Sequence, residues 1–484
     1  MMSRREPLIF EISGEGKRGF FLPPLDVPEN KEILKTIKVR NDIPGFPEVT
    51  EPEIVRHFTR LSQTNFCVDT SFYPLGSCTM KYSPKINEKI ASLPYFLNCH
   101  PLAPEDLVQG NLEIIKLLED YLCRITGMSY FTLWPAAGAH GELTGMMIIR
   151  AALTARGNPR KIVLIPDSAH GTNPSSAHIC GYQVREIKSN EEGTVDLQDL
   201  EKMMTEEVAA LMLTNPNTLG IFEKDIHRIA EIVHQRGGLV YMDGANMNAL
   251  LGKFRPGDHG VDVIHLNLHK TFSTPHGGGG PGAGPVGVTE ELEPFLPIPV
   301  IKKDGDRFVL ENDRPLSIGR IRTFFGNFLV LVKALAYILS LGGEGLKEVA
   351  EIAVLNANYI RKSLEGIYHL KYTSPTLHEC VFSDKWQREK GVQNIDIAKR
   401  LIDYGLHPPT MSFPLIVPGA LMIEPTETES KDELDAFIEA MKKIAQEAEE
   451  NPEVLKEAPH RAYVRRLDEV AAARNPVLRW KGKE

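Results

Sequence analysis

The chain has few cysteines, no long uninterrupted apolar run and no excess of positive charge. Its six cysteines are spread over 484 residues, and no two of them have CxxC spacing. Secreted proteins that depend on disulfides use cysteine more densely, so we expect reduced thiols. We see no apolar run near the roughly 20 residues that cross a bilayer. Residues 1–19 have no apolar core of the secretory type. We therefore expect a cytoplasmic protein without a membrane partner.

The charge balance excludes a further class of partner. The formal net charge is −9, which argues against nucleic acid or an anionic membrane as the main ligand. Hydrophobic residues make up 42% of the chain and charged residues 25%, as is usual in globular proteins. With 484 residues the chain is too long for one compact core.

Changes in composition predict four regions. Residues 1–105 are rich in proline and polar residues, and we interpret them as an extended N-terminal arm. Residues 106–342 are expected to form a large domain, and residues 343–450 a smaller α+β domain with mixed helix and strand signals. Residues 451–484 are expected to form a C-terminal tail.

The large domain alternates short apolar runs with helical patterns. The apolar runs are predicted to be strands at 161–165, 209–213, 239–242 and 261–264, and helices are predicted at 112–125, 226–236 and 326–341. Buried strands that alternate with helices indicate an α/β fold with a mostly parallel sheet covered on both faces. Ligands of such sheets bind beyond the carboxyl ends of the strands, where the polar residues described next are found.

Lys270 stands at the end of the last of these strands. Most lysines are solvated surface residues, and a charged amine beside a buried strand needs a functional reason. A desolvated lysine amine forms Schiff bases readily. Lys270 is therefore the candidate for attachment of pyridoxal 5'-phosphate (PLP). The glycine-rich stretch that follows, 276–284, lacks the GK[ST] ending of a Walker motif, and we interpret it as a loop that permits close backbone approach.

Asp243 ends the neighbouring strand, 27 positions before Lys270. A PLP electron sink needs a protonated pyridine nitrogen, and a carboxylate at a strand end supplies the partner for it. Taken alone, an aspartate at this position is as readily a helix cap. The pairing with Lys270 favours the cofactor interpretation.

Three other segments complete a possible cofactor site. Residues 135–142 open a helix with small residues, so that a phosphate could reach the amides of Gly138 and Ala139. His170 follows the strand at 161–165 and could stack on a ring. Thr214 follows the strand at 209–213 and could bond a phenolic oxygen. His265 and His269 have a spacing found in metal sites, but they lack the glutamate of HExxH, and we expect no metal.

At this point the motifs resemble a known family. Together they resemble the fold-type I PLP-dependent transferases of the aspartate aminotransferase type, and within them the P-proteins of the glycine cleavage system, the glycine dehydrogenases (decarboxylating). The similarity covers nearly the whole chain and is carried by residues 70–81, 135–142, 170–174, 243–248, 265–284, 409–414 and 423–427. Because the chain contains the lysine and ends soon after the small domain, it resembles subunit 2 of the two-subunit form.

The resemblance implies a reaction and its partners. It implies that glycine is decarboxylated on PLP and that the aminomethyl group passes to the lipoyl arm of the H-protein. It also implies pairing with a homologous subunit 1, as an α2β2 assembly. His170 would act on the substrate and stack on one ring face, Ala245 would cover the other face, and His269 would help to hold the phosphate.

The resemblance also suggests residues for the glycine or lipoyl pocket. These are Tyr73, Ser77, Thr79, Lys81 and Arg322. Trp134 stands where the family pattern leads us to expect a polar residue such as glutamine. Two alternatives remain at this stage: a generic aminotransferase or desulfurase, against which the lack of a clear carboxylate-binding arginine near 409–414 counts, and a non-catalytic subunit that holds PLP.

Overall fold

The computed structural model describes residues 5–28, 32–38, 40, 43–277 and 282–480, with the backbone alone at 33 and 34. The helices are α1 (Ile9–Ile12), α2 (Glu32–Lys35), α3 (Glu51–Gln63), α4 (Lys85–Ala91), α5 (Pro94–Leu97), α6 (Gln109–Thr126), α7 (Gly138–Ala155), α8 (Thr172–Ile179), α9 (Leu197–Met203), α10 (Ile226–Gln235), α11 (Leu268–Thr271), α12 (Phe328–Leu364), α13 (Lys385–Arg388), α14 (Asn394–Asp403), α15 (Lys431–Glu450), α16 (Pro452–Lys456) and α17 (Glu469–Arg474). Short 3-10 helices span Glu105–Leu107, Met247–Ala249, Pro256–His259 and Glu290–Phe295.

The strands form three sheets. They are β1 (Tyr130–Thr132), β2 (Ile162–Pro166), β3 (Gln183–Ile187), β4 (Val208–Thr214), β5 (Leu239–Gly244), β6 (Val263–Leu266), β7 (Val286–Val288), β8 (Val300–Asp304), β9 (Arg307–Glu311), β10 (Cys380–Ser383), β11 (Thr410–Met411) and β12 (Ala420–Ile423). The large sheet has the order β1-β7-β6-β5-β4-β2-β3, a second has the order β10-β12-β11, and β8 pairs with β9.

The large sheet is mostly parallel, as the sequence predicts. Its strands β3, β2, β4, β5 and β6 run parallel, and β7 pairs antiparallel with β6 and β1. Every residue of β4 and β5 is buried, because helices cover both faces of the central strands. The edge strand β3 is mostly exposed and reads Gln-Val-Arg-Glu-Ile. This is the α/β architecture that the sequence predicts, with a smaller C-terminal sheet and helices.

Helix α7 lies unusually close to the sheet. A side chain at Gly145 would come within 2.5 Å of the Tyr241 ring on β5, so only glycine permits this approach. The approach places the first turn of α7 over the carboxyl ends of the strands. The local sequence pattern therefore determines where the strands form, and Gly145 determines how closely α7 packs on them.

Helix α12 corrects one expectation from the sequence. By length and composition alone it is long and apolar enough to cross a membrane, although we saw no such run in the sequence. Its path breaks at Gly342, which has φ 64°, and the predicted end of a helix at 341 coincides with this break. The helix then resumes and runs to Leu364. Leu331 and Leu335 pack into the core beneath the large sheet, as in a buried core helix.

The N-terminal region contributes to the smaller sheet. Phe72 packs in the same core as Phe382 and Phe437, and Leu75 forms a bridge with Ile423 at the end of β12. Residues 72–75 thereby extend the β10-β12-β11 sheet. The four region boundaries proposed above stay predictions.

Candidate active site

Three neighbouring strands bring their terminal polar residues together. Thr214 at the end of β4 is the Cα partner of Asp243 on β5, and Asp243 is in turn the partner of His265 on β6. Lys270 follows on α11, four residues beyond β6, and is half-buried. The carboxyl edge of the sheet thus gathers the lysine, the aspartate and the threonine that the sequence singled out.

Asp243 is buried, and the groups that contact its Oδ1 atom are neutral. Its Oδ1 accepts the amide N–H of Ala245 at 2.9 Å and lies 3.4 Å from His265 Nε2. The other nitrogen of His265 lies 2.7 Å from the Tyr241 hydroxyl, and burial lowers the pKa of this histidine although Asp243 raises it. A neutral His265 leaves the carboxylate free to bind a cationic ring nitrogen.

Glu142 is a site residue that the sequence reasoning missed as a functional group. Burial and the nearby charge of Asp243 raise the pKa of its carboxyl to about 8, although a hydrogen bond from Thr172 at 2.8 Å lowers it. With its nitrogen turned toward the two acids, the Asn173 amide donates to Glu142 Oε2 at 3.1 Å and to Asp243 Oδ2 at 3.3 Å. A protonated Glu142 therefore spares Asp243 a second buried negative charge.

The start of α7 forms a cradle suited to an anion. Its N-cap residue, Ala137, makes no side-chain capping bond, so the amides of the first turn, including Gly138 and Ala139, have no intrahelical acceptor. A side chain at Gly138 would collide with Asn267 Oδ1, and one at Gly282 would lie 2.9 Å from His269 Nδ1. Free amides at a helix N-terminus and close glycine backbone are what a phosphate group requires.

Unpaired buried atoms point to the same site. Thr214 Oγ1, Asn267 Oδ1 and His269 Nδ1 are all buried, and none has a hydrogen-bond partner among the described residues. Burial, together with the charges of His276 and Lys270, lowers the pKa of His269 to about 3, so its ring is neutral. Since buried polar groups are normally paired, these atoms fit a polar ligand. Within the glycine-rich loop of the sequence prediction, residues 278–281 lie outside the described part of the chain.

His170 lies beyond β2, within electrostatic reach of Asp243 and Lys270. Its Nδ1 is 2.9 Å from Thr172 Oγ1, and its ring meets Phe413 edge-on at 5.6 Å between centroids. Partial burial lowers the pKa of the imidazole, Asp243 raises it and Lys270 lowers it. The ring is neutral at physiological pH, which suits stacking against another ring. Ala245, two residues after Asp243, is also buried.

The segment 73–79 is anchored by two buried glutamates. Glu379 Oε2 accepts the amide of Ser77 at 2.8 Å, and Glu424 accepts the amide and hydroxyl of Thr79 at 2.9 and 2.6 Å. Ser77 and Thr79 have φ values of 63° and 49°, a backbone region that only such anchoring makes favourable. Tyr73 stacks on His407 at 3.6 Å.

His378, Glu379 and Glu424 form a second cluster that the sequence did not reveal. Glu379 precedes β10 and Glu424 follows β12, and the antiparallel pairing of Cys380 with Ile423 makes them neighbours. Burial raises the pKa of both carboxyls, while the charge of Lys270 lowers it. Burial lowers the pKa of His378 to about 3. Only the strand register, which local pattern does not specify, could have indicated this cluster.

Two groups of side chains have spacing that a metal ion could use. They are Glu142, Asp243 and His265, and His378, Glu379 and Glu424, with ligand atoms within 4.8 Å of one another. His269, the partner of His265 in the suspected spacing, belongs to neither group. The expectation that the protein has no metal stays a prediction.

Lys81 has a different environment from the other pocket candidates. It is buried, and its amine donates to Glu427 Oε1 at 2.7 Å, to Thr271 O at 3.0 Å and to the Tyr337 hydroxyl at 3.1 Å. These three bonds use all three donors of the ammonium group. The geometry favours a structural role over substrate binding.

Arg322 and Trp134 lie on the helix-start side of the site. Arg322 donates to Asn327 Oδ1 at 3.3 Å, and Asn327 donates in turn to the carbonyls of Gly282 and Ala136. Arg322 is thus one residue removed from the anion cradle. The Trp134 indole donates to Pro299 O at 2.8 Å and is buried in the core, so it needs no polar pocket.

Comparisons with known proteins identify the family that this chain matches. The family model "Glycine cleavage system P-protein" matches residues 24–307, and "Glycine dehydrogenase, C-terminal domain" matches residues 349–460. A probable glycine dehydrogenase (decarboxylating) subunit 2 of Caldanaerobacter subterraneus subsp. tengcongensis is 58% identical, over 99% of this chain and 100% of its own. A protein of the same name in Pyrococcus abyssi is 57% identical, over 98% of this chain and 96% of its own.

Two solved structures share the fold. An inhibitor-bound glycine decarboxylase (P-protein) of the glycine cleavage system superposes with a TM-score of 0.70 at 21% identity, covering 87% of this chain and 91% of its own. A NifS-like protein gives a TM-score of 0.61 at 16% identity, covering 78% of this chain and 100% of its own. Similarity at this level of identity supports the fold alone.

Proposed function

Because the chain belongs to the family of glycine cleavage system P-proteins, the glycine dehydrogenases (decarboxylating), we propose that it decarboxylates glycine with PLP held on Lys270. The observation that carries the proposal is the meeting of Lys270, Asp243 and Thr214 at the ends of adjacent strands. Membership of this family decides against a generic aminotransferase or desulfurase and against a subunit without catalysis.

The residues fit PLP in each of its parts. Lys270 would supply the amine that binds it, and Asp243 would pair with its ring nitrogen. The first-turn amides of Gly138 and Ala139, with His269, would hold its phosphate. The unpaired hydroxyl of Thr214 suits its phenolic oxygen, and His170 and Ala245 would contact the ring from its two sides. When bound, PLP supplies an electron sink for the electrons that remain on carbon after carbon dioxide leaves.

The protein's own groups then prepare glycine for loss of its carboxylate. The segment 73–79 is held by Glu379 and Glu424, and its Cys78 lies within electrostatic reach of Lys270. We propose that this segment covers Lys270 and limits the access of water. A poorly hydrated carboxylate is less stable and leaves more readily. Tyr73, Ser77 and Thr79 lie on this segment, and we propose that they line the glycine pocket. We propose Arg322, beside the cradle, for the path of the acceptor, while Lys81 serves to hold the segment in place.

The proposal includes two protein partners besides the substrate glycine. The aminomethyl group passes to the lipoyl arm of the H-protein, and the chain pairs with P-protein subunit 1, in an α2β2 assembly. The relatives named subunit 2 support this pairing, since their lengths match this chain almost completely. We place the enzyme in the cytoplasm.

One experiment tests both the reaction and the lysine. The chain is mixed with subunit 1, lipoylated H-protein and glycine, and exchange of the glycine carboxyl carbon with labelled bicarbonate is followed. We expect exchange with the wild type and with Lys303→Ala, an exposed-lysine control, and none with Lys270→Ala. Borohydride should fix PLP covalently to the wild type and not to Lys270→Ala. Absence of exchange in the wild type would overturn the reaction, and fixation on Lys270→Ala would overturn the choice of lysine.

A further inference from the structure

Residues 14–17 are held against the residues before α3 and against its first turn. The amide of Gly14 donates to Glu48 O at 3.0 Å, and that of Gly16 donates to Glu48 Oε2 at 2.6 Å. Lys17 donates to Glu53 on α3 at 2.7 Å. Together these contacts hold residues 14–17 against the start of α3. The chain that follows therefore leaves the surface from a defined position.

Beyond this anchor, residues 20–27 expose an almost wholly apolar sequence. Phe20, Phe21, Leu22, Leu25 and Val27 are each between 62% and 81% exposed. The two phenylalanines alone, at roughly 150–250 Å² each, present on the order of 300 Å² of apolar surface. The largest apolar patch on an ordinary monomer covers about 300–600 Å² and is often a binding site. The 20–27 segment is thus a candidate for a site of contact with another molecule.

The backbone of the 20–27 segment is suited to docking. Pro23 and Pro24 hold it extended, and within the described chain its backbone makes no hydrogen bond. The Arg18 guanidinium lies 5.8 Å from the Phe21 ring, which helps to orient that ring. A segment already restricted to an extended shape loses less entropy when it binds.

We propose that the 20–27 segment docks into an apolar groove of P-protein subunit 1 and so joins the two subunits. This inference rests on the proposed function, which makes a second, different chain the partner. Relatives that match this chain over nearly its full length are named subunit 2, so the surface of such a chain must include a face for another subunit. The segment has one charge, on Asp26, and no basic residue, so it lacks the cations that attract an anionic membrane.

The test compares two double variants of the full chain. Phe21→Ser with Leu22→Ser alters the segment, and Ile179→Ser with Leu355→Ser alters apolar side chains of similar exposure elsewhere, at 71% and 66%. Affinity for purified subunit 1 is measured by sedimentation velocity. We expect the segment variant to bind at least tenfold more weakly and the control to bind as the wild type does. The isolated segment variant should still be fixed to PLP by borohydride, since residues 20–27 lie outside the cofactor site.

Three outcomes would overturn the docking proposal. The first is equal affinity of the segment variant and the wild type for subunit 1. The second is a change confined to self-association of the isolated chain, which would make a second copy the occupant. The third is that the segment variant loses binding to phosphatidylcholine vesicles while its affinity for subunit 1 stays that of the wild type. In each of these cases bicarbonate exchange by the wild-type mixture would persist, so the proposed reaction would stand.

Discussion

Two neighbouring acids in the site have opposite needs. The role proposed for Asp243 is to bind a cationic ring nitrogen, and Glu142 is buried beside it. A second buried negative charge would be costly, so the proton that would otherwise be lost stays on Glu142, whose carboxyl has a pKa of about 8. The Thr172 hydroxyl and the Asn173 amide donate hydrogen bonds to the Glu142 carboxyl group and fix its position. Glu142 thus protects the charge of Asp243 without touching the lysine.

The raised pKa of Glu142 predicts a pH-dependent stability. The folded protein binds a proton here that the unfolded chain releases above its ordinary pKa, so the stabilisation is present at low pH and is lost as pH rises toward about 8. From pH 6 to pH 8, we expect this group to lower the free energy of unfolding of the cofactor-free protein by on the order of 2 kcal/mol.

Glu142→Gln should remove that dependence, because the amide stays neutral and keeps the contact with Thr172. Urea unfolding at pH 6 and pH 8 measures how the free energy of unfolding of each protein changes with pH. The exposed Glu290→Gln serves as the control. Parallel pH profiles for Glu142→Gln and the wild type would contradict the assignment of a raised pKa to Glu142.

At the scale of elements, the position of the first turn of α7 depends on the absence of a side chain at its first residue. Gly138 has no side chain, and one there would collide with the Asn267 side chain that follows β6. A side chain at Gly284 would collide with the backbone carbonyl of Ala137. The helix start, the end of β6 and the glycine-rich loop therefore share one small space, and the free amides face it.

Gly138→Ala is expected to weaken binding of PLP at least tenfold, which corresponds to about 1.4 kcal/mol. The added methyl group must displace Asn267 or the helix start, and either shift moves the amides away from the phosphate. Absorbance titration of the cofactor-free protein measures the affinity, and thermal unfolding reports on the fold.

Gly110→Ala is the matched control, because an added Cβ on α6 at that position meets nothing within 4 Å. Equal PLP affinity of Gly138→Ala and Gly110→Ala would show that the cradle does not hold the phosphate.

At the scale of the whole molecule, one buried lysine joins separate parts of the chain. Lys81 follows the segment 73–79 closely in sequence. Its amine binds Glu427 beyond β12, Tyr337 on α12 and the carbonyl of Thr271, which is next to Lys270. The ion pair of Lys81 and Glu427 therefore connects the smaller sheet, α12 and α11, the helix that contains Lys270. An ion pair in this position holds the parts in register with one another.

Lys81→Met should reduce the free energy of unfolding by about 3 kcal/mol or more, because it leaves Glu427 buried without its cation. Adding Glu427→Gln should recover part of the loss, since the second change removes the unpaired charge. Urea denaturation of the three proteins gives the comparison. A loss below about 1 kcal/mol for Lys81→Met would mean that the pair contributes no more than a surface salt bridge does.

Much of the fold was accessible from local pattern. The apolar runs at 209–213 and 239–242 became β4 and β5, and the helix predicted at 226–236 became α10, which ends just before Gly237. Lys270, Asp243 and Thr214 could be selected because each follows a predicted apolar run, and parallel strands place their carboxyl ends at one edge. The family followed from the same motifs, and the comparisons confirm it.

The tertiary structure decided what depends on distant pairing and on burial. The antiparallel register of β10 and β12 brings Glu379 beside Glu424, and no local pattern specifies that register. Lys81 could not be told from a substrate ligand until its three acceptors, all far away in sequence, were in place. Likewise, the apolar residues 20–27 could have been core. The sequence by itself determined which elements form and which groups end them, since those signals are local, whereas only packing determined which charges are paired and which apolar side chains remain exposed.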